Sequence, residues 1–248
     1  MKTDFPKSPT GTIGLQKSFA VNIRKTFRDG LRDVYGKLSH DEKRITESLR
    51  LTASIDAQTI ATIIGILEKI KFDLGPIVKT YIGAAWWKAN KSVAIPMKLG
   101  EWVPFDQRIL KASQDSTYSY LYKFVDGKQE ELKKMIQEGI SQGDTVSSIA
   151  QEIKNSFKIT AWKSELIARS EVVRTHGDST MMAIRNGGVT KEYQWKTSLR
   201  ENVCPICRPL HNRIFNIDDP RAPKPVTDTH PACNCGIVPY VRIAEVQK

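Results

Sequence analysis

Four cysteines stand in the last 45 residues of a 248-residue chain, as Cys204-Pro205-Ile206-Cys207 and as His230-Pro231-Ala232-Cys233-Asn234-Cys235. Two thiolates spaced C-x2-C grip one side of a tetrahedral Zn2+ from a tight turn, and a second knuckle about 25 residues later supplies the other ligands. His230 precedes Cys233 by three residues and so repeats the spacing of the first knuckle. Cys233 and Cys235 point to one side if their segment is extended. Five donors, Cys204, Cys207, His230, Cys233 and Cys235, thus compete for four places. Spacing alone leaves open which of His230, Cys233 and Cys235 is spare. His211, four residues after Cys207, is a sixth donor, read here as a surface histidine in a Pro-rich loop. Four cysteines also suit two disulfides, but no export signal opens the chain and a reducing compartment keeps thiols free. The expected cofactor is therefore a structural Zn2+, whose closed Cys/His set leaves no position for a catalytic water.

Other chemistries lack their residues. The zinc-deaminase pattern fails because proline follows the first cysteine and His176 is followed by Gly177-Asp178. No phosphate-binding G-x-x-x-x-G-K-[ST], H-E-x-x-H, G-x-G-x-x-G or G-x-S-x-G occurs, which excludes the usual warrants for P-loop motors, zincins, dinucleotide enzymes and α/β-hydrolases. Glu171, Arg174 and Asp178 form a row at helical spacing, where charge pairs stabilise a helix by roughly 0.2 to 0.5 kcal/mol each. The row reads as structural, and no catalytic residue is expected.

The elements that must carry the cysteines are mostly helical. Composition, 40% hydrophobic and 26% charged, suits a folded protein in water, and the apolar stretch Ala57 to Leu67 is too short to span a bilayer. Residues 1 to 10 read as an extended arm. From Ile13, the residues Phe19, Ile23, Phe27, Leu31, Val34 and Leu38 recur every three or four positions, the stripe of a long amphipathic helix. A second helix spans Ala57 to Lys71, with Gly75-Pro76 expected to interrupt it before a third that carries Tyr81 and Trp86. Pro96, Gly100 and Pro104 mark a loop. Two further helices, Asp106 to Phe124 and Lys128 to Ile140, lead to a turn from Gly139 to Asp144. Asp144 then caps a short helix bearing Val146, Ile149, Ile153 and Phe157. Thr160 can cap the last one, from Ala161 to about Asn186, which stops at Gly187-Gly188. Beyond it, Glu192 to Thr197 and Arg213 to Ile217 alternate as strands do, and Gly236 to Ile243 is a third apolar run. The expected class is α+β: helical over the N-terminal two-thirds, then a small α+β module with a few short strands around the cysteines. The corresponding divisions are 1–50, arm and long helix; 51–143, helical; and 144–248, the cysteine-bearing domain.

Charge narrows the partners. The net charge is +11, and residues 1–100 hold 17 basic and 9 acidic side chains against 21 and 18 in the remainder. An N-terminal surplus of this kind favours a polyanion, most simply nucleic acid held by its backbone, since no base-reading motif is present. Arg24, Lys25, Arg28 and Arg32, off the apolar stripe of the first helix, are the candidate phosphate contacts. The same helix is read first as a packing surface for a partner protein or for the chain's own body.

The stretch from Gly143 to Tyr240 resembles the phage Mu F-like minor head morphogenesis proteins of tailed double-stranded DNA bacteriophages. The likeness rests on Ala168-Arg169-Ser170-Glu171, on the Gly187-Gly188 stop before Trp195-Lys196-Thr197, and on Cys204 to Cys207 with His230 to Cys235. The family's commonest ending is H-P-N-C-R-C. Here Ala232 and Asn234 replace its polar and basic residues, a departure that spares the ligands and weakens only a role for the absent arginine. Pro9-Thr10-Gly11-Thr12 before a basic helix resembles the start of longer members. The resemblance implies a low-copy virion protein inside the head at the portal vertex, formed in the host cytoplasm. Its implied partners are the portal protein and the major capsid or scaffold protein, with the DNA backbone as a further candidate and neither a membrane nor a small-molecule substrate. Two other classes compete: a free, sequence-nonspecific nucleic-acid-binding zinc protein, and an enzyme of nucleic-acid or nucleotide chemistry.

Overall fold

The computed structural model describes residues 9–47, 57–94, 107–142, 144, 146–156, 161–198 and 203–242. Five helices come first: α1 (Ile13–Glu47), α2 (Ala57–Ala94), α3 (Gln107–Gln142), α4 (Val146–Ser156) and α5 (Ala161–Gly187). Strands β1 (Glu192–Lys196), β2 (Ile214–Asn216) and β3 (Gly236–Pro239) form one antiparallel sheet in the order β2-β1-β3. The α+β class expected from the sequence holds. No helix among the described residues is long and apolar enough to cross a membrane. The arm up to Ser8, the loop containing Pro96, Gly100 and Pro104, and the positions Phe157 and Thr160 lie outside the described residues.

The α1 stripe is buried at Phe19, Ile23, Phe27 and Val34. Leu31 is only half-buried and Gly30 is buried in its stead; the side chain of Leu38 is outside the description.

Two expected breaks do not occur. Gly75-Pro76 leaves α2 continuous over 38 residues. Pro76 and Phe72 share the exposed side, so the Phe72 carbonyl that loses its N–H partner faces water, while Ile70, Leu74 and Val78 stay buried opposite. Likewise α3 runs unbroken for 36 residues, where two helices, Asp106 to Phe124 and Lys128 to Ile140, were expected. Leu121, Val125, Leu132 and Ile136 form one buried stripe across Gly127. Burying such side chains stabilises by about 1.5 to 3 kcal/mol each, more than the roughly 1 kcal/mol that a glycine costs inside a helix.

The chain forms two compact units, neither contiguous in sequence: residues 1–20, 78–115 and 165–248 make one, and 21–77 with 116–164 the other. In the second, a Cβ on Gly30 would overlap Ile70, so α1 and α2 touch there through the absence of a side chain. Phe27 packs edge-on against Phe124 at 5.4 Å, Lys71 pairs with Asp126, and the Tyr35 hydroxyl donates to Gln151 at 2.9 Å. Ile149 and Ile153 of α4 are buried as their spacing requires.

In the first unit α5 is nearly surrounded, with Ile167, Ala168, Val172, Val173, His176, Thr180 and Ile184 all at most 1% exposed. It ends as expected: Gly188 takes φ +65 and its N–H bonds the Ile184 carbonyl at 3.3 Å. Tyr193 and Trp195 of β1 turn inward and are fully buried with Ala183, Ile184 and Ile237, and the same core contains Cys207, Cys233 and Cys235. Trp86 is core and Trp87 is exposed, as their adjacency on a helix demands. Thr12 opens α1 and accepts from the Gln16 amide at 2.9 Å. Pro9 and Thr10, just before it, lie against Gly236, where a Cβ would meet them at 3.2 and 3.0 Å.

Candidate metal centre on the cysteine loops

The first loop leaves β1 and turns at the C-x2-C pair. The Arg208 N–H bonds the Cys204 carbonyl at 3.0 Å and closes the turn, while the Cys207 N–H lies 3.2 Å from Cys204 Sγ and so points at a sulfur that must carry negative charge as a ligand. Pro209, in the short 3-10 turn Arg208–Leu210, stiffens the exit. The second loop folds His230 back over the first: the Cys233 N–H reaches the His230 carbonyl at 3.3 Å, and the Cys235 N–H lies 3.4 Å from Cys233 Sγ. β3 starts immediately afterwards and fixes this loop to the sheet through Trp195↔Ile237.

All five predicted donors converge. Cys204, Cys207 and His230 form one triad and Cys207, Cys233 and Cys235 another, the ligand atoms of each lying within 4.8 Å of one another, with Cys207 common to both. The four thiols are unbridged. A tetrahedral Zn2+ with ordinary bond lengths separates two ligating sulfurs by about 3.8 Å and a sulfur from an imidazole nitrogen by about 3.5 Å. Cys207 Sγ and Cys233 Sγ are 3.7 Å apart, and Cys207 Sγ and His230 Nε2 are 3.6 Å apart. Cys204 Sγ stands nearer to His230 Nε2, at 3.1 Å. His230 Nδ1 donates to the Pro231 carbonyl at 2.8 Å, which leaves Nε2 unprotonated on the side facing the sulfurs. The donor set and its spacing fit a metal ion.

The electrostatics agree with a cluster of soft donors crowded out of water. Burial pushes the Cys207 thiol up to about 12. The hydrogen bond from Cys235 brings Cys233 down to about 5, and giving that bond pushes Cys235 up. At Cys204 burial opposes ionisation, but the Cys207 backbone and side-chain donors and His230 outweigh it and lower the thiol. At His230 burial is likewise outweighed, here by the Pro231 carbonyl and the facing cysteines, and the imidazole is raised.

Two supporting residues escaped the sequence reading of ligands. Ser170 Oγ accepts from the Ala232 N–H at 2.8 Å while donating to the Leu166 carbonyl at 2.7 Å, so α5 holds the second cysteine loop by its backbone. Arg169 lines a cavity of about 230 Å3 beside Cys204, Cys207 and His230. The Ala168-Arg169-Ser170-Glu171 signature was the available signal. Its third residue is the tie, its second faces the centre, and its fourth pairs with Arg174 at 2.7 Å.

His211 is not part of either triad. Its Nδ1 accepts from the Thr197 N–H at 3.2 Å, joining the first loop to the end of β1. On α1, Arg24, Lys25, Arg28 and Arg32 are exposed, with Arg32 bonded to Asp29 at 2.8 Å and Arg28 at 3.5 Å from the same carboxylate.

Residues 130–238 match the family model described as phage Mu protein F like protein, a span that takes in the end of α3, α4, α5, the sheet and both cysteine loops. No curated protein and no solved structure matches the chain.

Proposed function

We propose that this chain, phage Mu F-like over residues 130–238, is a structural head morphogenesis protein of a tailed phage. One observation carries the reading. The separate motifs of that family stretch, the Ala-Arg-Ser-Glu helix and the two cysteine loops, are physically one assembly, joined by Ser170 and Ala232 around a metal-sized cluster. The cluster takes one Zn2+ through four of Cys204, Cys207, His230, Cys233 and Cys235, with Cys207 shared between the triads. When bound, the ion acts as a cross-link that closes two loops too short to bury a core of their own. The cysteine loops and the body of α5 then form part of the first compact unit, and α1, whose apolar stripe is buried, offers a partner its exposed polar side.

The role is assembly rather than turnover. Its partners are the portal protein and the major capsid or scaffold protein, met inside the head at the portal vertex after synthesis in the host cytoplasm. Arg24, Lys25, Arg28 and Arg32 give the exposed side of α1 a positive charge suited to the DNA backbone. Size-exclusion of the purified chain with its cognate portal tests the reading. Co-elution, with one zinc per chain by elemental mass spectrometry, is the expected result. A zinc-loaded chain that ignores portal but binds DNA with a steep salt dependence overturns it in favour of a free nucleic-acid-binding protein.

A further inference from the structure

The row that sequence reasoning set aside as helix electrostatics, Arg174 and Asp178, continues along α5 to Met181, Met182 and Arg185 and lines a cavity of about 500 Å3 within the first unit. Three other parts of the chain complete it: Arg108, Ala112 and Ser113 from α3, Ile217 after β2, and Lys224 from the second loop. Sequence proximity explains none of this. Arg108, Arg185 and Lys224 are exposed at the rim, while Arg174 is mostly buried and held by Glu171 at 2.7 Å, Asp178 at 3.5 Å and the Ser113 carbonyl at 3.5 Å. Arg185 is 3.8 Å from Asp218 and 3.4 Å from the Ile217 carbonyl. Four cations and one carboxylate therefore face one concave space whose floor is methionine, isoleucine and alanine.

We propose that this cavity binds a single nucleotide, its phosphate on Arg108, Arg185 and Lys224 and its base on the Met181, Met182 and Ile217 floor. The chemistry follows from the two kinds of wall. Guanidinium pairs and an ammonium group recognise phosphate oxygens, and thioethers make favourable contacts with flat aromatic rings. Asp178 is the acceptor for a base N–H; burial raises its pKa, which suits a carboxyl group that shares a proton with its ligand. The volume falls in the range of small-molecule sites and takes one nucleotide, whereas a duplex cannot enter. The source is either a free nucleotide or the phosphorylated end of a DNA strand. The cavity shares no lining residue with the cysteine centre, and the inference does not rest on portal association.

Calorimetry on the full, zinc-loaded chain tests the inference with deoxyguanosine 5′-monophosphate as probe. Binding is expected, with deoxyguanosine and inorganic phosphate each about tenfold weaker or more, because each uses one wall. Arg185→Ala and Lys224→Ala should each weaken the nucleotide by several-fold; Lys224→Ala, at an exposed position, should leave the melting temperature unmoved, whereas Arg185→Ala also removes the bond to the Ile217 carbonyl and should lower it slightly. Met182→Ala should weaken nucleotide and nucleoside alike while sparing phosphate. Competition by a 5′-phosphorylated oligonucleotide, but not by circular single-stranded DNA, identifies a strand end as the source; lack of competition by either identifies the free nucleotide. No nucleotide binding, phosphate binding equal to nucleotide binding, or full affinity in the rim variants would each overturn the proposal.

Discussion

His176 offers a quantitative test of how the first unit is packed. It lies on α5, 1% exposed, with Nε2 buried and without a hydrogen-bond partner among the described residues. Burial, with a smaller contribution from Lys88, lowers its pKa to about 4 from the ordinary 6.5. The folded protein therefore keeps the ring neutral at pH values where the unfolded chain protonates it. Above about pH 6.5 both states are neutral and His176 leaves stability independent of pH; between 6.5 and 4 the unfolded state gains a proton that the folded state refuses. Stability then falls as pH falls, by about 1.4 kcal/mol per unit, and the loss between pH 7.5 and pH 5 is about 2 kcal/mol. His176→Gln removes the titration while keeping a polar side chain. Urea denaturation of both proteins at saturating zinc, at pH 7.5 and pH 5, isolates the residue, because Asp178 and every other titrating group are common to the two. The wild type should lose about 2 kcal/mol more than the variant. Equal losses would mean that His176 is solvated or charged in the fold, and that the packing around α5 is wrong.

Further tests address the cysteine loops and the helices. Ser170→Ala should cost about 1 to 3 kcal/mol by orphaning the Ala232 N–H, and zinc affinity measured by chelator competition should fall with it. Ala232 sits at φ 59, a left-handed conformation that costs an alanine about 1 to 2 kcal/mol, so Ala232→Gly or Ala232→Asn should raise the melting temperature of the zinc-loaded chain. Gly127→Ala, in an open helix position, should stabilise by up to about 1 kcal/mol, whereas Gly30→Ala should destabilise because its new methyl meets Ile70. Chelation should lower the melting temperature, with recovery on zinc addition, since an ion that binds only the folded loops stabilises them by mass action.

Much of this was legible because periodicity reports burial directly. The α1 stripe, the α4 pair Ile149 and Ile153, the Gly188 stop and the alternation of Tyr193 with Trp195 all follow from one-dimensional spacing. The expected breaks at Gly75-Pro76 and between Phe124 and Lys128 did not, because local propensity of about 1 to 3 kcal/mol is outweighed where a buried stripe continues past the residue. The convergence of five sulfur and nitrogen donors was likewise legible, since C-x2-C and H-x2-C each preset a turn. The Ala168-Arg169-Ser170-Glu171 signature marked Ser170, but its bonding to Ala232, sixty-two residues on, was illegible, as was the cavity that gathers Arg108, Arg185 and Lys224. Each depends on tertiary placement that no local pattern encodes.

Presence of this chain in assembled heads is the most direct test of the head-protein role. Quantitative mass spectrometry of purified proheads from the cognate phage should find it at a few copies per particle, retained through washing at high salt, and lost when Cys207→Ser removes the donor common to both triads. Proheads that assemble at normal yield and contain none of it would contradict the head-protein reading outright.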